Sequence, residues 1–450
     1  MNKNIKDMTT GGTMGHIIRF TLPLLLGNIF QQLYNMVDSV IVGNFVGKNS
    51  LAAVGTCGSI NFFFFSLALG LSVGIGIIVS QYFGAKDEAR VRATIANSVY
   101  VLISAGLVVS ILAYALCPAV LRLLKTPDHI IGESITYMRT SCFGIIFVTL
   151  YNGVASILRA LGDSKTPLYF LILSSITNVI LDLIFVLTFG WGVFGVAFAT
   201  VISQMISAIV SILYAYRKIP YFRLTKEHLK PDKRIIRMSF KLGIPIALQN
   251  SMIAVSMMVL QGIVNSFGDT VMAAYTIVSR IEQIVQQPYS SLSMAITNYS
   301  GQNIGANKVD RVRKGFRQSI LVALIFSMVL IPIAYLFGET IVGFFVKDPE
   351  VIHIGMKALR INSLCYFGLG MIYVPRAVLN GCGDTLFAMI NGFTEVVCRI
   401  GYSNIFTRIP RIGYWGIWIT TGFTWVTTAI ICIIRYLSGR WKTKKLVSNS

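Results

Sequence analysis

Four polar side chains share one face of the first long apolar stretch of the chain, which runs from about residue 17 to residue 42. They are spaced i, i+3, i+4 and i+7, as a helical face requires: Gln31, Tyr34, Asn35 and Asp38. A carboxylate near the middle of a bilayer costs about 2.5–3.5 kcal/mol, so it normally faces protein or a water-filled cavity. Asp38 is therefore either fixed in a structural hydrogen bond or a cation-binding or proton-carrying acid on a transport path. The polar face around it favours the second interpretation.

Asp182 is a second acid inside an apolar stretch, one helical turn after Asn178. Thr200, in the stretch that follows, adds a hydroxyl oxygen. Together with Asp38 these side chains would supply two carboxylates, an amide and a hydroxyl, which are oxygen ligands of the kind that hard cations such as Na⁺ take. The same two acids suit a proton, because like charges in a dry site favour protonation of one of them. The sequence alone neither brings the two acids together nor decides between Na⁺ and H⁺.

The second half of the chain has its own charges inside apolar stretches. Arg280 lies close to Glu282, and Glu395 precedes Arg399 by four residues. Because each acid has a base nearby in the sequence, we predict structural ion pairs here in preference to a second coupling site.

The elements that carry these residues are predicted to be membrane-spanning helices. The chain has 450 residues, of which 54% are hydrophobic and 13% charged, and its mean hydropathy is +0.69. These values are typical of a polytopic membrane protein. The net charge of +21 does not indicate nucleic-acid binding, because the basic residues lie between the apolar stretches, where they determine topology.

The residue types that soluble enzymes and metalloproteins cluster are scattered along this chain. The seven cysteines form no CxxC pair, and the four histidines show no metal-ligand spacing. No GxxxxGK(S/T) phosphate loop is present, so ATP hydrolysis is not indicated. We therefore expect no enzyme activity and no cofactor other than a transported Na⁺ or H⁺.

Twelve stretches are long and apolar enough to span a bilayer as helices. Their approximate bounds are 16–42, 51–81, 93–117, 132–158, 167–189, 192–216, 238–264, 271–299, 318–338, 354–379, 386–407 and 413–436. Lys and Arg are concentrated in the two terminal segments and in most of the loops after even-numbered spans. Both termini are therefore expected to be cytoplasmic in a multi-pass protein of the cell membrane.

The chain also contains an internal duplication. The motif QYFGA at 81–85 recurs 221 positions later as QNIGA at 302–306, and further matches run through both halves at nearly the same separation. Each half holds six spans, an even number, so both halves enter the membrane in the same orientation. We predict an all-α protein with two parallel six-helix lobes, residues 1–216 and 238–450, joined by a basic cytoplasmic linker, 217–237. The substrate path would run between or inside the lobes.

The acidic pair is confined to the first lobe. In the repeat, Asp38 corresponds to Leu260 and Asp182 corresponds to Ser403. An acid with a purely architectural role would more readily be kept in both lobes, so this asymmetry favours a functional role for the pair.

Several motifs resemble those of the multidrug and toxic compound extrusion (MATE) family of secondary transporters. They are Leu22-Pro23, the run from Leu33 to Asp38, both copies of the duplicated motif, and the run from Arg159 to Pro167 after the fourth span. The resemblance extends from about residue 14 to residue 440. It implies twelve helices in two six-helix lobes that form a V, alternation between outward- and inward-open states, and export of lipophilic cations in exchange for Na⁺ or H⁺.

In the bacterial and archaeal branch that this chain most resembles, the cation site lies in the N-terminal lobe. The resemblance places in that site Asp38, Asn178, Asp182 and Thr200. The residues expected near the substrate cavity are Gln31, Tyr34, Tyr137 and Asn152, with Asn35 on the same helical face as Tyr34. The other bacterial branch uses acids in spans 7 and 10, which this chain lacks, so a coupling site in the second lobe is not expected.

The resemblance also suggests a mechanism. Na⁺ or H⁺ entering from outside would occupy the site of Asp38 and Asp182 and weaken drug binding there. Its binding would favour a bend or repacking of span 1, for which Pro23 and Gly27 provide a weak point.

The sequence leaves three alternatives to drug export. A flippase for lipid-linked precursors, from the same broader superfamily, would also be V-shaped, but it would tend to have a more cationic cavity and extra helices. A sugar or metabolite porter shares the six-plus-six plan without the motifs, and a membrane enzyme would need clustered catalytic residues. The expected partners are small lipophilic cations and membrane lipid, with no nucleic acid, and nothing in the sequence demands more than a monomer.

Overall fold

The computed structural model of the protein describes residues 5–124 and 126–447, so residues 1–4, 125 and 448–450 of the predicted lobes lie outside the described residues. Over those two ranges the chain is helical and contains no strand. The α-helices are α1 Thr13–Ile41, α2 Lys48–Gly84, α3 Glu88–Leu123, α4 Asp128–Ala160, α5 Thr166–Leu183, α6 Gly192–Lys218, α7 Lys233–Val264, α8 Asp269–Gly305, α9 Val309–Gly343, α10 Pro349–Ser363, α11 Tyr366–Gly381, α12 Thr385–Phe406 and α13 Gly416–Leu437. The shorter elements are two π-helical turns, π1 Val42–Val46 and π2 Ile184–Thr188, and 3₁₀ turns at Pro220–Phe222, Asn265–Phe267, Gly413–Trp415 and Arg440–Thr443.

The tenth predicted span, residues 354–379, consists of two helices. α10 ends at Ser363 and α11 begins at Tyr366, whereas α4, the counterpart in the first lobe, is unbroken over 33 residues. At the break the N–H of Cys365 donates to the carbonyl of Asn362 (2.9 Å), a bond across three residues that tightens the backbone. The α-helices α10 and α11 therefore share one pass.

Eight helical stretches of the described chain are long and apolar enough to cross a membrane, judged by length and composition. They are α2 to α7, α9 and α13. The other predicted spans, α1, α8, α10 with α11, and α12, carry more polar residues, among them Asp38, Glu282 and Glu395. Polar groups at membrane depth normally face protein or a cleft, so these helices are expected to line the interior of the bundle.

The first helix of each lobe packs partly against the opposite lobe. Helices α1–α6 form the first lobe and α7–α13 the second. In α1, Phe20 and Leu24 lie in a hydrophobic core formed mainly by α8, α9 and α11. In α7, Leu242 and Ile246 lie in the core of α2, α3 and α4. Farther along, α1 packs against α5 of its own lobe, at Gly27. Each first helix therefore connects the two lobes mechanically.

The two lobes approach each other most closely where α2 and α8 end, in the duplicated motif. A Cβ atom at Gly84 would lie 1.9 Å from the backbone oxygen of Gln302. A Cβ atom at Gly305 would lie 2.0 Å from the backbone oxygen of Gln81. Real Cβ contacts this short do not occur, so only glycine permits this approach at either position. We call this end of the bundle, where both terminal segments also lie, the closed end.

The two glutamines of the motif hold the closed end together. Nε2 of Gln81 donates to the carbonyl of Gly381 (2.9 Å), and its Oε1 accepts from the N–H of Leu446 (2.8 Å). Nε2 of Gln302 donates to the carbonyl of Ala160 (2.8 Å), and its Oε1 accepts from the N-terminal segment. Both side chains are fully buried. Each glutamine thus joins its own lobe to a helix end of the other lobe and to a terminal segment, an arrangement we call the glutamine lock.

The bundle opens at the opposite end. The side-chain contacts between lobes farthest from the closed end are Asn28 with Ser291 (3.0 Å) and Ser66 with Ser251 (2.9 Å). Beyond these pairs, each hydrophobic cluster of the described residues draws on one lobe only, around Val42 and Cys57 in the first lobe and around Leu260 in the second. The lobes therefore separate toward the end away from the termini, where we expect a cleft between them. On the sequence-based prediction that both termini are cytoplasmic, this end faces outward.

The linker between the lobes is shorter than predicted. α6 ends at Lys218 and α7 begins at Lys233, five residues before the predicted start at 238. Asp232 sets this start, because its carboxylate accepts from the N–H groups of Arg234 (2.8 Å) and Ile235 (3.3 Å). The basic charge of the region thus lies partly on the first turns of α7.

Candidate cation site

Asp38 and Asp182, which the sequence could not place together, meet inside the first lobe. Asp38 lies late in α1, Asp182 lies late in α5, and their carboxyl groups are close enough to interact directly. Asp182 is fully buried and Asp38 is half-buried. Oδ1 of each acid is buried without a hydrogen-bond partner. Two carboxylates this close repel each other unless a proton or a cation neutralises them, and the two unpartnered oxygens could accept either.

Asn178 and Thr200 complete the polar cluster. With its amide oriented to satisfy both neighbours, Asn178 donates from Nδ2 to Oδ2 of Asp182 (2.8 Å) and accepts at Oδ1 from the hydroxyl of Thr200 (3.2 Å). No three His, Cys, Asp or Glu side chains in the described ranges could together hold a metal ion. Na⁺ at this cluster would therefore depend on two carboxylates supplemented by neutral oxygens, as the sequence suggested.

Two tyrosines lie against the acids. The side chain of Tyr34, one turn before Asp38 on α1, lies close to Thr200 and to both acids. Tyr137, from α4, is close to both Asp38 and Tyr34, and it also packs on the hydrophobic cluster around Val42. The acids therefore have aromatic rings on one side.

Both acidic helices change geometry directly after the acid. The π-helical turn π1 begins four residues after Asp38, and π2 begins two residues after Asp182. The N–H of Gly47 donates to Val42 (3.0 Å) and the N–H of Phe189 donates to Ile184 (3.2 Å), both across five residues. Such turns occur often at functional sites. The sequence pattern contained no sign of them.

Three of the residues predicted near the substrate cavity form no side-chain hydrogen bond with this cluster of described residues. Gln31 and Asn35 are exposed on α1, on the helical face opposite the exposed row that includes Leu26 and Leu33. Nδ2 of Asn152 donates to the carbonyl of Val148 in its own helix (2.8 Å). The structure thus brings together six of the nine predicted site residues, and a substrate-binding role for the other three stays a prediction.

The second lobe has a different polar group at the equivalent place. Leu260 and Ser403, the counterparts of the two acids, are fully buried. Arg399 lies 221 positions after Asn178, so an arginine occupies the place of the amide. This correspondence was not predicted, although the register of the duplication contains it.

The predicted pair of Glu395 and Arg399 is confirmed: Nη2 of the arginine lies 3.1 Å from Oε1 of the glutamate, and both side chains are buried. The predicted pair of Arg280 and Glu282 is wrong. Glu282 instead accepts a hydrogen bond from Nδ2 of Asn362, at the break between α10 and α11. Residues two apart on a helix point to different sides, which explains the difference.

Replacing Glu395 by glutamine is expected to lower the free energy of unfolding by about 3 kcal/mol, because it removes the ion-pair partner of the buried Arg399. Denaturation of the purified protein in detergent measures this loss. Asp310→Asn is the matched control, since it breaks an exposed pair with Arg313 (3.1 Å) and should cost less than about 0.5 kcal/mol. Equal losses in the two variants would contradict a buried structural pair.

The chain is similar over most of its length to a family model, to curated bacterial proteins and to a solved structure. A family model described as MatE matches residues 23–184 and 245–405, one range in each lobe. The probable multidrug resistance protein YpnP of Bacillus subtilis is 30% identical over 444 residues, which cover 98% of each chain. The probable multidrug resistance protein YoeA of the same organism is 28% identical over 95% of this chain and 94% of its own length. The solved structure of a MOP-superfamily transporter from Pyrococcus furiosus has the same fold, with a TM-score of 0.92 at 22% identity over 99% of this chain and 100% of the other.

Proposed function

This chain belongs to the MatE family of transporters, and we propose that it is a secondary multidrug exporter that antiports lipophilic cationic compounds against Na⁺ or H⁺. Drug export is supported by the relatives in Bacillus subtilis, which are named as probable multidrug resistance proteins. Antiport is supported by one observation above all, the buried contact of Asp38 with Asp182. It provides a site whose charge depends on what is bound there.

Antiport requires that the coupling ion and the drug exclude each other. With the carboxyl pair ionised, its negative charge and the rings of Tyr34 and Tyr137 attract an organic cation. A proton or Na⁺ bound between Asp38 and Asp182 removes that charge and draws the two carboxyl groups together. The site then holds the organic cation less tightly, and the drug leaves through the open end of the cleft.

The structure also suggests how occupation of the site is coupled to the lobes. Asp38 and Phe20 belong to the same helix, α1, yet Asp38 contacts the first lobe and Phe20 lies in a core of the second. A pull on Asp38 toward α5 therefore acts on the contact between lobes. Pro23, which lies between them, cannot donate a backbone hydrogen bond and makes α1 easier to bend at that point.

The test is efflux of a fluorescent lipophilic cation from proteoliposomes, with an inward Na⁺ gradient and an inward H⁺ gradient imposed separately. We expect one of the two gradients to accelerate dye efflux, and the acceleration to disappear when an ionophore collapses that gradient. Liposomes without protein are the control for leakage. If folded protein responded to neither gradient, antiport would be contradicted, and an assay for flipping of lipid-linked precursors would be the next step.

A further inference from the structure

A basic cavity of about 490 Å³ lies at the closed end, between the N-terminal segment, the first turns of α1 and the turn before α5. Three of its lining side chains are cationic and exposed, Lys6, Arg19 and Lys165. They come from three different parts of the first lobe. No carboxylate in the described ranges forms an ion pair with any of them. We call this space the basic cavity.

The acids near the basic cavity are engaged elsewhere. Asp163 lines the cavity but is fully buried, and its Oδ1 accepts from the N–H groups of Lys165 and Thr166, both at 3.0 Å. It therefore caps the start of α5. Asp7 faces away, toward Lys86 and Lys308: burial alone would raise the pKa of Asp7, but hydrogen bonds from Thr9 and these two charges lower it. The three cations of the cavity thus lack an internal counter-ion.

Exposed apolar side chains continue from the basic cavity along the two helices that border it. On α1, Ile18 and Leu22 are 41% and 53% exposed and flank Arg19. On α5, Tyr169 and Leu173 are 59% and 39% exposed and begin one turn after the lining residue Lys165. In a bilayer this arrangement puts positive charge at the headgroup level and apolar surface beside the acyl chains.

From these features we infer that the basic cavity binds a phosphate group, as carried by the headgroup of an anionic phospholipid in the leaflet at the closed end. Lysine and arginine form strong charge-assisted hydrogen bonds to phosphate oxygens. A cavity of about 490 Å³ has room for a phosphate diester with its glycerol. The apolar rows on α1 and α5 would hold the acyl chains, which free phosphate lacks.

The bound phosphate would affect the closed end. Lys6 belongs to the N-terminal segment, and its N–H donates to the carbonyl of Leu161 (3.2 Å) at the end of α4. Two residues later, the N–H of Met8 donates to Oε1 of Gln302 in the glutamine lock (2.8 Å). A ligand that joins Lys6 to Arg19 and Lys165 would therefore fix the N-terminal segment in the position that the lock requires.

The test measures binding and melting of the purified full-length protein in neutral detergent, so it does not depend on transport. Phosphatidylglycerol, phosphatidylcholine and inorganic phosphate are titrated separately, with native mass spectrometry for bound lipid and a thermal shift for stability. We expect saturable binding of phosphatidylglycerol with a higher melting temperature, and a much weaker response to phosphatidylcholine. The combined variant Lys6→Gln, Arg19→Gln, Lys165→Gln should bind phosphatidylglycerol at least about tenfold more weakly.

The matched control removes the same charge from the linker region, by Lys226→Gln, Lys230→Gln and Lys233→Gln, three exposed lysines outside the cavity. Its response should equal that of the unchanged protein. If the triple cavity variant does not fold, Arg19→Gln alone serves, provided that it melts normally in phosphatidylcholine. A response to inorganic phosphate that the cavity variant loses would support the phosphate site with free phosphate as its source. Equal responses of the cavity and linker variants, or no response to either phosphate source, would overturn the inference.

Discussion

Gradient-driven efflux is expected to fall to the level of protein-free liposomes when Asp182 is replaced by asparagine. The amide has nearly the shape of the carboxyl group and can still form a hydrogen bond to Asp38, but it can neither release a proton nor contribute a full charge to Na⁺. The residual site then holds a single ionisable group. An organic cation and a coupling ion would no longer compete for a site of variable charge, and the two fluxes would uncouple.

The same variant separates loss of function from loss of fold. Removal of one of two like charges in a buried contact relieves repulsion, so Asp182→Asn should melt no lower than the unchanged protein. The matched control is Asp310→Asn, the same chemical change at an exposed position, which should leave efflux unaffected. Full coupled efflux by Asp182→Asn at normal expression would sink the proposed role of the acidic pair. Asp38→Asn provides the reciprocal test.

A single methyl group at the closed end is expected to shift the conformational equilibrium of the protein. In Gly84→Ala the new Cβ would lie 1.9 Å from the backbone oxygen of Gln302, so α2 and α8 must separate by about 1.5 Å to reach ordinary contact. The glutamine lock cannot keep its hydrogen bonds at that separation. In a transporter that alternates between two arrangements of its lobes, as the family resemblance implies, the state with the closed end parted should gain population.

Distances between spin labels at Asn49 and Asp269, on the outer ends of α2 and α8, report this shift. Both residues are exposed, and among the native cysteines of the described chain only Cys365 and Cys398 are not buried, so these two are replaced first. The label distance should shorten in Gly84→Ala and in its counterpart Gly305→Ala.

Gly55→Ala is the matched control, on the same helix as Gly84. A Cβ at Gly55 would meet no atom within 4 Å, so alanine there should only improve helix propensity, by about 1 kcal/mol. A distance distribution in Gly84→Ala that matched the one in Gly55→Ala would show that the lobes tolerate the methyl group without opening.

Much of the fold could be predicted from the sequence, because the spans and the two lobes follow from patterns of neighbouring residues and from the internal repeat. Apolar length predicted the spans, and the repeat of the motif around Gln81 and Gln302 predicted two lobes. The break between α10 and α11 was not predicted, since residues 354–379 form one continuous apolar stretch of spanning length. At the break Asn362 contacts Glu282, which lies 80 positions away in the sequence, and no local pattern contains such a contact.

The residues of the candidate site could be predicted from the sequence, but the contact between Asp38 and Asp182 could not. A polar face predicted that Asp38 would avoid lipid, and helical spacing linked Asn178 with Asp182. The contact of the two acids depends on how α1 packs against α5. The periodicity of the sequence predicts the faces of each helix but not which helices pack together. Likewise, the duplicated motif could be recognised as a repeat, but the close contact of Gly84 with Gln302 could not be predicted, because it joins two helices that are far apart in the sequence.

The glutamine lock has a consequence for biosynthesis. Met8 is separated by 294 positions from its partner Gln302, and Gln81 by 365 positions from its partner Leu446. During translation the N-terminal segment therefore remains without its partner until most of the second lobe has been made, and Gln81 waits until the chain is almost complete. Contacts of such high sequence separation form late. A chain that is still ribosome-bound, or that terminates shortly before its end, would thus insert its helices yet leave the closed end unsealed, exposing it to quality-control proteases.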